Sequence, residues 1–105
     1  MEKFSVSNAF QVFMTETPEF SGPWMEAVHK LDAASQLEPK TKTLAYLAVL
    51  AATRLESGIP FHVKHAKSLG ATRDEVLSVI LVGLPAVGHA VTQCLPAALK
   101  AYDED

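Results

Sequence analysis

Between Val76 and Ala101 the only side chains more polar than Ala, Gly or Pro are Ser78, His89, Thr92, Gln93, Cys94 and Lys100. So apolar a stretch must be removed from water, and this limits the chain to two solutions: insertion in a bilayer or burial in a helical core. Gly83, Pro85, Gly88, His89 and Pro96 interrupt the run. No unbroken segment reaches the ~20 residues that a bilayer span needs. The expectation is therefore a helical hairpin buried by its own domain and by neighbouring subunits. A small all-helical domain this apolar cannot easily cover itself, which points to self-association.

The sequence has 105 residues, enough for one domain with a modest core, and is read as a single unit over 1–105. Its formal net charge of −3 offers no general attraction to nucleic acid or to an anionic membrane. The single cysteine, Cys94, excludes an internal disulfide framework. Met1-Glu-Lys-Phe leads into Ser, Asn and Gln rather than an apolar signal segment, so a reducing, cytoplasmic setting is expected.

Local signals divide the chain into about six helices. Ser5 to Thr15 forms a short amphipathic helix with Phe10, Phe13 and Met14 on neighbouring faces, broken at Thr17-Pro18. Ser21-Gly22-Pro23 restarts a helix on which Trp24, Val28 and Leu31 form one stripe. Glu38-Pro39 marks the next start. From Leu44 to Leu55 the chain is apolar nearly all round, with Leu44, Leu47, Ala48, Ala51 and Leu55 on one face and Tyr46, Val49 and Leu50 on the other. A helix apolar on every side is a central one. Pro60 begins or kinks a helix that carries His62 and His65 and closes at Gly70. Thr72-Arg-Asp-Glu75 opens the next with capping-box spacing, running to about Leu84 or Gly88. A last helix spans His89 to Tyr102 with a bend near Pro96, and the acidic tail from Asp103 is read as solvated. With no convincing strand pairs, the fold class is all-α, an orthogonal helical bundle.

The stretch Leu37-Glu-Pro-Lys-Thr-Lys-Thr-Leu-Ala-Tyr-Leu-Ala-Val-Leu-Ala-Ala-Thr-Arg54, followed by Phe61-His-Val-Lys-His-Ala-Lys-Ser-Leu-Gly-Ala-Thr-Arg-Asp-Glu-Val76, resembles the carboxymuconolactone decarboxylase / alkyl hydroperoxidase D superfamily. Gly83-Leu-Pro-Ala-Val fits the helix that follows in the same family, and the likeness covers roughly Leu37 to Tyr102. The resemblance implies an all-α subunit that assembles as a homotrimer or homohexamer. In the redox branch it also implies a Cys-x-x-Cys pair ahead of the histidine and a glutamate on the preceding helix. There a helix N-terminus and a glutamate-to-histidine relay favour thiolate, and the second cysteine resolves the first.

Counted back from His62, those cysteine positions fall on Leu55 and Gly58, and the glutamate position on Thr43. Neither residue can form a thiolate, so the family's dithiol cycle cannot run there. The decarboxylase branch, which lacks the cysteine pair and uses acid–base chemistry on a carboxylated lactone, is the nearer likeness. Ile59-Pro60-Phe61 is nevertheless more apolar than that branch implies.

His62 is the leading candidate for acid–base catalysis, since its unperturbed pKa suits proton transfer near neutrality; the alternative is an inert interface histidine. Glu56, the only acid between Pro39 and Arg73, is the second candidate, either orienting His62 or acting as its acid–base partner; surface ion pairing is the plainer reading. Lys40, Lys42, Arg54, Lys64 and Lys67 surround it in sequence and would favour an anionic ligand such as an organic acid. His65 could share an ion with His62, but two ligands do not make a metal site. Cys94, in an apolar setting, reads as a small hydrophobe rather than a peroxidatic thiol. His89 reads as a core or interface histidine, and Trp24 and the Phe residues as packing for the outer helices. No cofactor or metal is expected. The function anticipated is acid–base chemistry on a small carboxylated or lactone-like molecule, with a non-catalytic ligand-binding module as the alternative and peroxidase chemistry as the least supported.

Overall fold

The computed structural model describes residues 6–104. These form seven α-helices: α1 (Asn8–Glu16), α2 (Pro18–Ala34), α3 (Pro39–Ala52), α4 (Ile59–Ser68), α5 (Arg73–Leu81), α6 (Leu84–Val87) and α7 (Leu95–Asp103). Two 3₁₀ segments, Glu56–Gly58 and Gly88–Cys94, complete the regular structure. There is no strand among the described residues, so the all-α expectation holds. The residues divide into two packed units, one of α1 and α2 (Val6–Leu37) and one from Glu38 onward.

In the smaller unit the first helix starts at Asn8, capped by the Ser7 side chain, which accepts from the Phe10 N–H at 3.2 Å. The expected start at Ser5 lies outside the described residues. The restart at Ser21-Gly22-Pro23 is a correction. Helix α2 begins at Pro18 and continues through Pro23, because Thr17 already supplies the carbonyl that accepts from Phe20 and Ser21. Pro23 cannot donate to the carbonyl of Glu19, but that residue is exposed and water can take the bond. Phe10 and Phe13 meet with ring centroids 6.4 Å apart. Trp24 and Phe20, expected to pack the outer helices, instead remain 57% and 70% exposed, and Leu31 likewise faces solvent.

In the larger unit the starts follow the local signals. Glu38 caps α3, its carboxylate accepting from the Thr41 N–H at 2.7 Å, with Pro39 in the first turn. Thr72 and Glu75 complete the capping box of α5 in both directions, at 3.0 and 2.8 Å. Helix α4 ends at Ser68 and is closed at Gly70, whose φ of +96° permits the left-handed turn. Helix α3 ends by the same backbone device without a glycine. Arg54 adopts φ +59° and donates to the Ala51 carbonyl at 3.2 Å, while Leu55 donates to that of Leu50 at 2.9 Å. This reversal sends α4 back alongside α3.

The core is built from residues three and four apart on successive helices: Leu47, Leu50 and Ala51; Ile59, Val63 and Ala66; Val76 and Ile80; Val91 and Cys94; Ala98 and Ala101. Helix α3 packs against α4 and α5, and α7 against α4. The expectation that α3 is enclosed on every side is only half met within one chain, since Tyr46 and Val49 on its second face stay about half exposed.

The apolar C-terminal run also differs from expectation. Its last helix starts at Leu95, not His89; residues 88–94 wind as 3₁₀ after Gly88 turns at φ +76°. By length and composition alone Arg73–Asp103 would be able to cross a membrane, and only 17% of its most apolar window is buried within the chain, so the expected burial by its own domain is met only in small part. It is broken into α5, α6, the 3₁₀ segment and α7. The acidic tail is not merely solvated. Arg73 grips Asp103 through two hydrogen bonds of 3.0 Å, and Lys64 reaches Glu104 at 3.0 Å. Lys67 donates to the Tyr102 carbonyl at 2.7 Å, and the Tyr102 hydroxyl to that of Ala71 at 2.8 Å. Together these tie the end of α7 to α4 and α5.

Candidate functional site

The segment between α3 and α4 positions the candidate residues. After the reversal at Arg54, Glu56–Gly58 makes a single 3₁₀ turn, and Gly58 leads directly into α4 with right-handed backbone angles. His62 follows one turn later. It is half-buried, and its imidazole lies against two aromatic rings: Tyr46 from α3 at a centroid distance of 4.6 Å, and Phe61 at 5.0 Å in edge contact. Burial lowers its pKa below the usual histidine value, and the neighbouring His65 lowers it further. At neutral pH the ring is therefore an uncharged base. Among the described residues no hydrogen bond to protein restrains its nitrogens.

The positions that resemble the redox cysteines lie in this same turn. Leu55 is half exposed at its start. Gly58 faces His62 closely enough that a Cβ there would sit 4.0 Å from the imidazole Cδ2 and 3.4 Å from Leu50 Cδ1. Thr43, at the position of the family's glutamate, is buried on α3. The turn thus places Gly58 beside the histidine but holds no sulfur.

Glu56 is exposed, and the structure brings it toward Cys94 rather than His62. Its negative charge helps raise the Cys94 pKa, behind the larger effect of burial, whereas the charge acting on His62 comes from His65. Cys94 is fully buried, which disfavours its thiolate form. His65 sits on the same face of α4 as His62, 6.3 Å from the Phe61 ring. No group of three His, Cys, Asp or Glu side chains converges to hold a metal among the described residues. His89 is exposed rather than buried, its Nδ1 3.3 Å from the Thr92 hydroxyl.

The lysines that flank these residues in sequence are largely engaged elsewhere: Lys40 with Glu75 at 3.1 Å, Lys64 with Glu104, and Lys67 with Tyr102. Tyr46 is the residue that sequence reasoning missed. The spacing groups it with Val49 and Leu50 as one apolar face of a central helix, although a polar-tipped aromatic among the aliphatic residues from Leu44 to Leu50 is a signal in itself.

No curated protein and no solved structure matches the chain. The sequence model described as the Carboxymuconolactone decarboxylase family matches residues 18–101, which extends the likeness back through α2. On that match, spanning most of its length, the chain belongs to the carboxymuconolactone decarboxylase family.

Proposed function

We propose that the protein is a non-redox member of its family that binds a small carboxylated or lactone-like molecule beside His62 and moves a proton there. The observation that carries this reading is the state of His62: half-buried against Tyr46 and Phe61, with its pKa lowered. A depressed pKa depletes the protonated form at neutral pH, so His62 serves as proton acceptor, the role needed to deprotonate a carbon next to a carbonyl. Glu56 contributes as an exposed acid at the head of the turn, not as the group that sets the proton affinity of His62. No cofactor enters this chemistry.

Self-association belongs to the same proposal. Val49, Leu55, Val82 and Val87 are each 46–64% exposed in the single chain, a burden of apolar surface that a trimer or hexamer of identical subunits would cover. The buried, single thiol suits a reducing cytoplasmic setting, and the net charge of −3 gives no reason to expect nucleic acid or membrane as a partner.

Assaying a panel of lactones and keto acids tests the reading. His62→Ala is expected to lower turnover by roughly 10²–10⁴-fold, with subunit assembly unchanged by sedimentation. In the wild type, kcat/KM should rise with pH to a plateau that begins below the ordinary histidine range. Unchanged turnover in His62→Ala removes the proposal. A second reading, a ligand-binding module without catalysis, is favoured by the lack of a hydrogen-bonding partner for His62 among the described residues. It predicts no turnover on any member of the panel but a reproducible thermal shift with one of them.

A further inference from the structure

We infer that Tyr46 is a positioning residue for His62, shielding the imidazole from water and fixing its ring plane against α3. The inference rests on the acid–base reading of His62 but is tested without requiring turnover.

The geometry is specific. Tyr46 is on α3 and His62 on α4, so their contact exists only because the Arg54 reversal docks the two helices side by side. The ring centroids are 4.6 Å apart and the planes inclined by 58°. This is closer than the Phe61 ring at 5.0 Å, which belongs to the adjacent residue and cannot fix the imidazole against α3. On the Gly58 side that residue presents no side chain, and a Cβ added there would lie 4.0 Å from the imidazole Cδ2. The imidazole is therefore walled by rings on two sides. A hydrogen-bonded carboxylate, the commonest way to orient a catalytic histidine, would favour the imidazolium and raise the pKa. An aromatic wall orients the ring while leaving it neutral, which suits a base. Tyr46 is itself 47% exposed, so it contributes little to the core and its location at the edge of the site is not explained by packing alone.

Histidine titration followed by NMR in the full-length protein tests this directly, using Tyr46→Leu and Tyr46→Phe. In Tyr46→Leu the His62 midpoint is expected to move up, toward the ordinary histidine value, because water regains access to the ring. In Tyr46→Phe the ring wall is retained and the midpoint should remain that of the wild type. On any substrate found, Tyr46→Leu should lower kcat on the order of tenfold and displace the acid limb of the pH profile upward, with Tyr46→Phe restoring both. A His62 midpoint in Tyr46→Leu that equals the wild type overturns the inference, as does a Tyr46→Phe variant that behaves like Tyr46→Leu. If no substrate is ever turned over, the acid–base reading fails while the NMR comparison still decides the role of Tyr46. His65, on the same helix face, contributes resonances to the same spectra, and these are assigned with His65→Gln so that the two rings are not confused.

Discussion

Replacing Gly58 by alanine should stabilise the protein, although Gly58 lies in the turn beside the candidate base. Its backbone angles, φ −87° and ψ −12°, are right-handed and open to any L-residue. An added Cβ would meet Leu50 at 3.4 and 3.6 Å and His62 at 4.0 Å, ordinary van der Waals distances. Loss of glycine freedom in the unfolded chain contributes about 0.4–1 kcal/mol in favour of alanine. Against this stands the preference for glycine over alanine at a helix N-cap, worth about 0.5–1 kcal/mol where the cap is extended. Gly58 is not extended, since the 3₁₀ turn runs straight into α4, so the entropy term wins. The net expectation is about 0.5 kcal/mol of added stability, or roughly 2–4 °C in Tm for a domain of this size. Scanning calorimetry reads the shift. Gly70→Ala is the control, because at φ +96° a side chain is strained and the change should cost about 1–2 kcal/mol. A Tm for Gly58→Ala at or below the wild type would refute the reasoning and show that the turn needs glycine for a reason other than backbone entropy.

Thr72→Ala removes one half of the capping box of α5 and should cost about 1 kcal/mol in a urea titration, with the m-value unchanged. Asp103→Asn breaks the bidentate pair with Arg73. The Arg73 guanidinium holds the Asp103 carboxyl below its usual pKa, so its contribution is present above the unfolded value and lost as pH falls through the folded one. The variant should therefore show a shallower fall of Tm with acid, over about pH 2–5, than the wild type. His62 adds a second pH dependence of defined sign. With its folded pKa lowered, its contribution is fully present above the ordinary histidine value and lost as pH drops through the folded one, and His62→Gln should abolish that component of the Tm profile. Cys94 should not react with an aromatic disulfide reagent in the native protein but react fully in denaturant; fast labelling under native conditions would show that the 3₁₀ segment opens.

The chain's local chemistry, by itself, determined where most of its helices begin and how they end. Pro39, Pro60, the Thr72–Glu75 box and Gly70 act through backbone N–H and C=O groups only a few residues away, so their effects can be read without knowing what packs on what. The absence of thiols at Leu55 and Gly58 is likewise visible in the letters alone. Local signals failed where two could compete, as at Pro18 and Pro23, or where a 3₁₀ winding replaced α geometry before Leu95.

What only the tertiary structure decided is which groups meet. Glu56 is six residues from His62, yet its charge falls on Cys94, while Tyr46, sixteen residues away, lies against the imidazole. The tail that reads as free charge is held by Arg73 and Lys64. Proton affinity and reactivity depend on burial and on neighbours brought together by helix docking. Those are properties of the packed chain, set by the reversal at Arg54 and by the apolar faces of α3, α4 and α7, and no pattern of spacing along the sequence contains them.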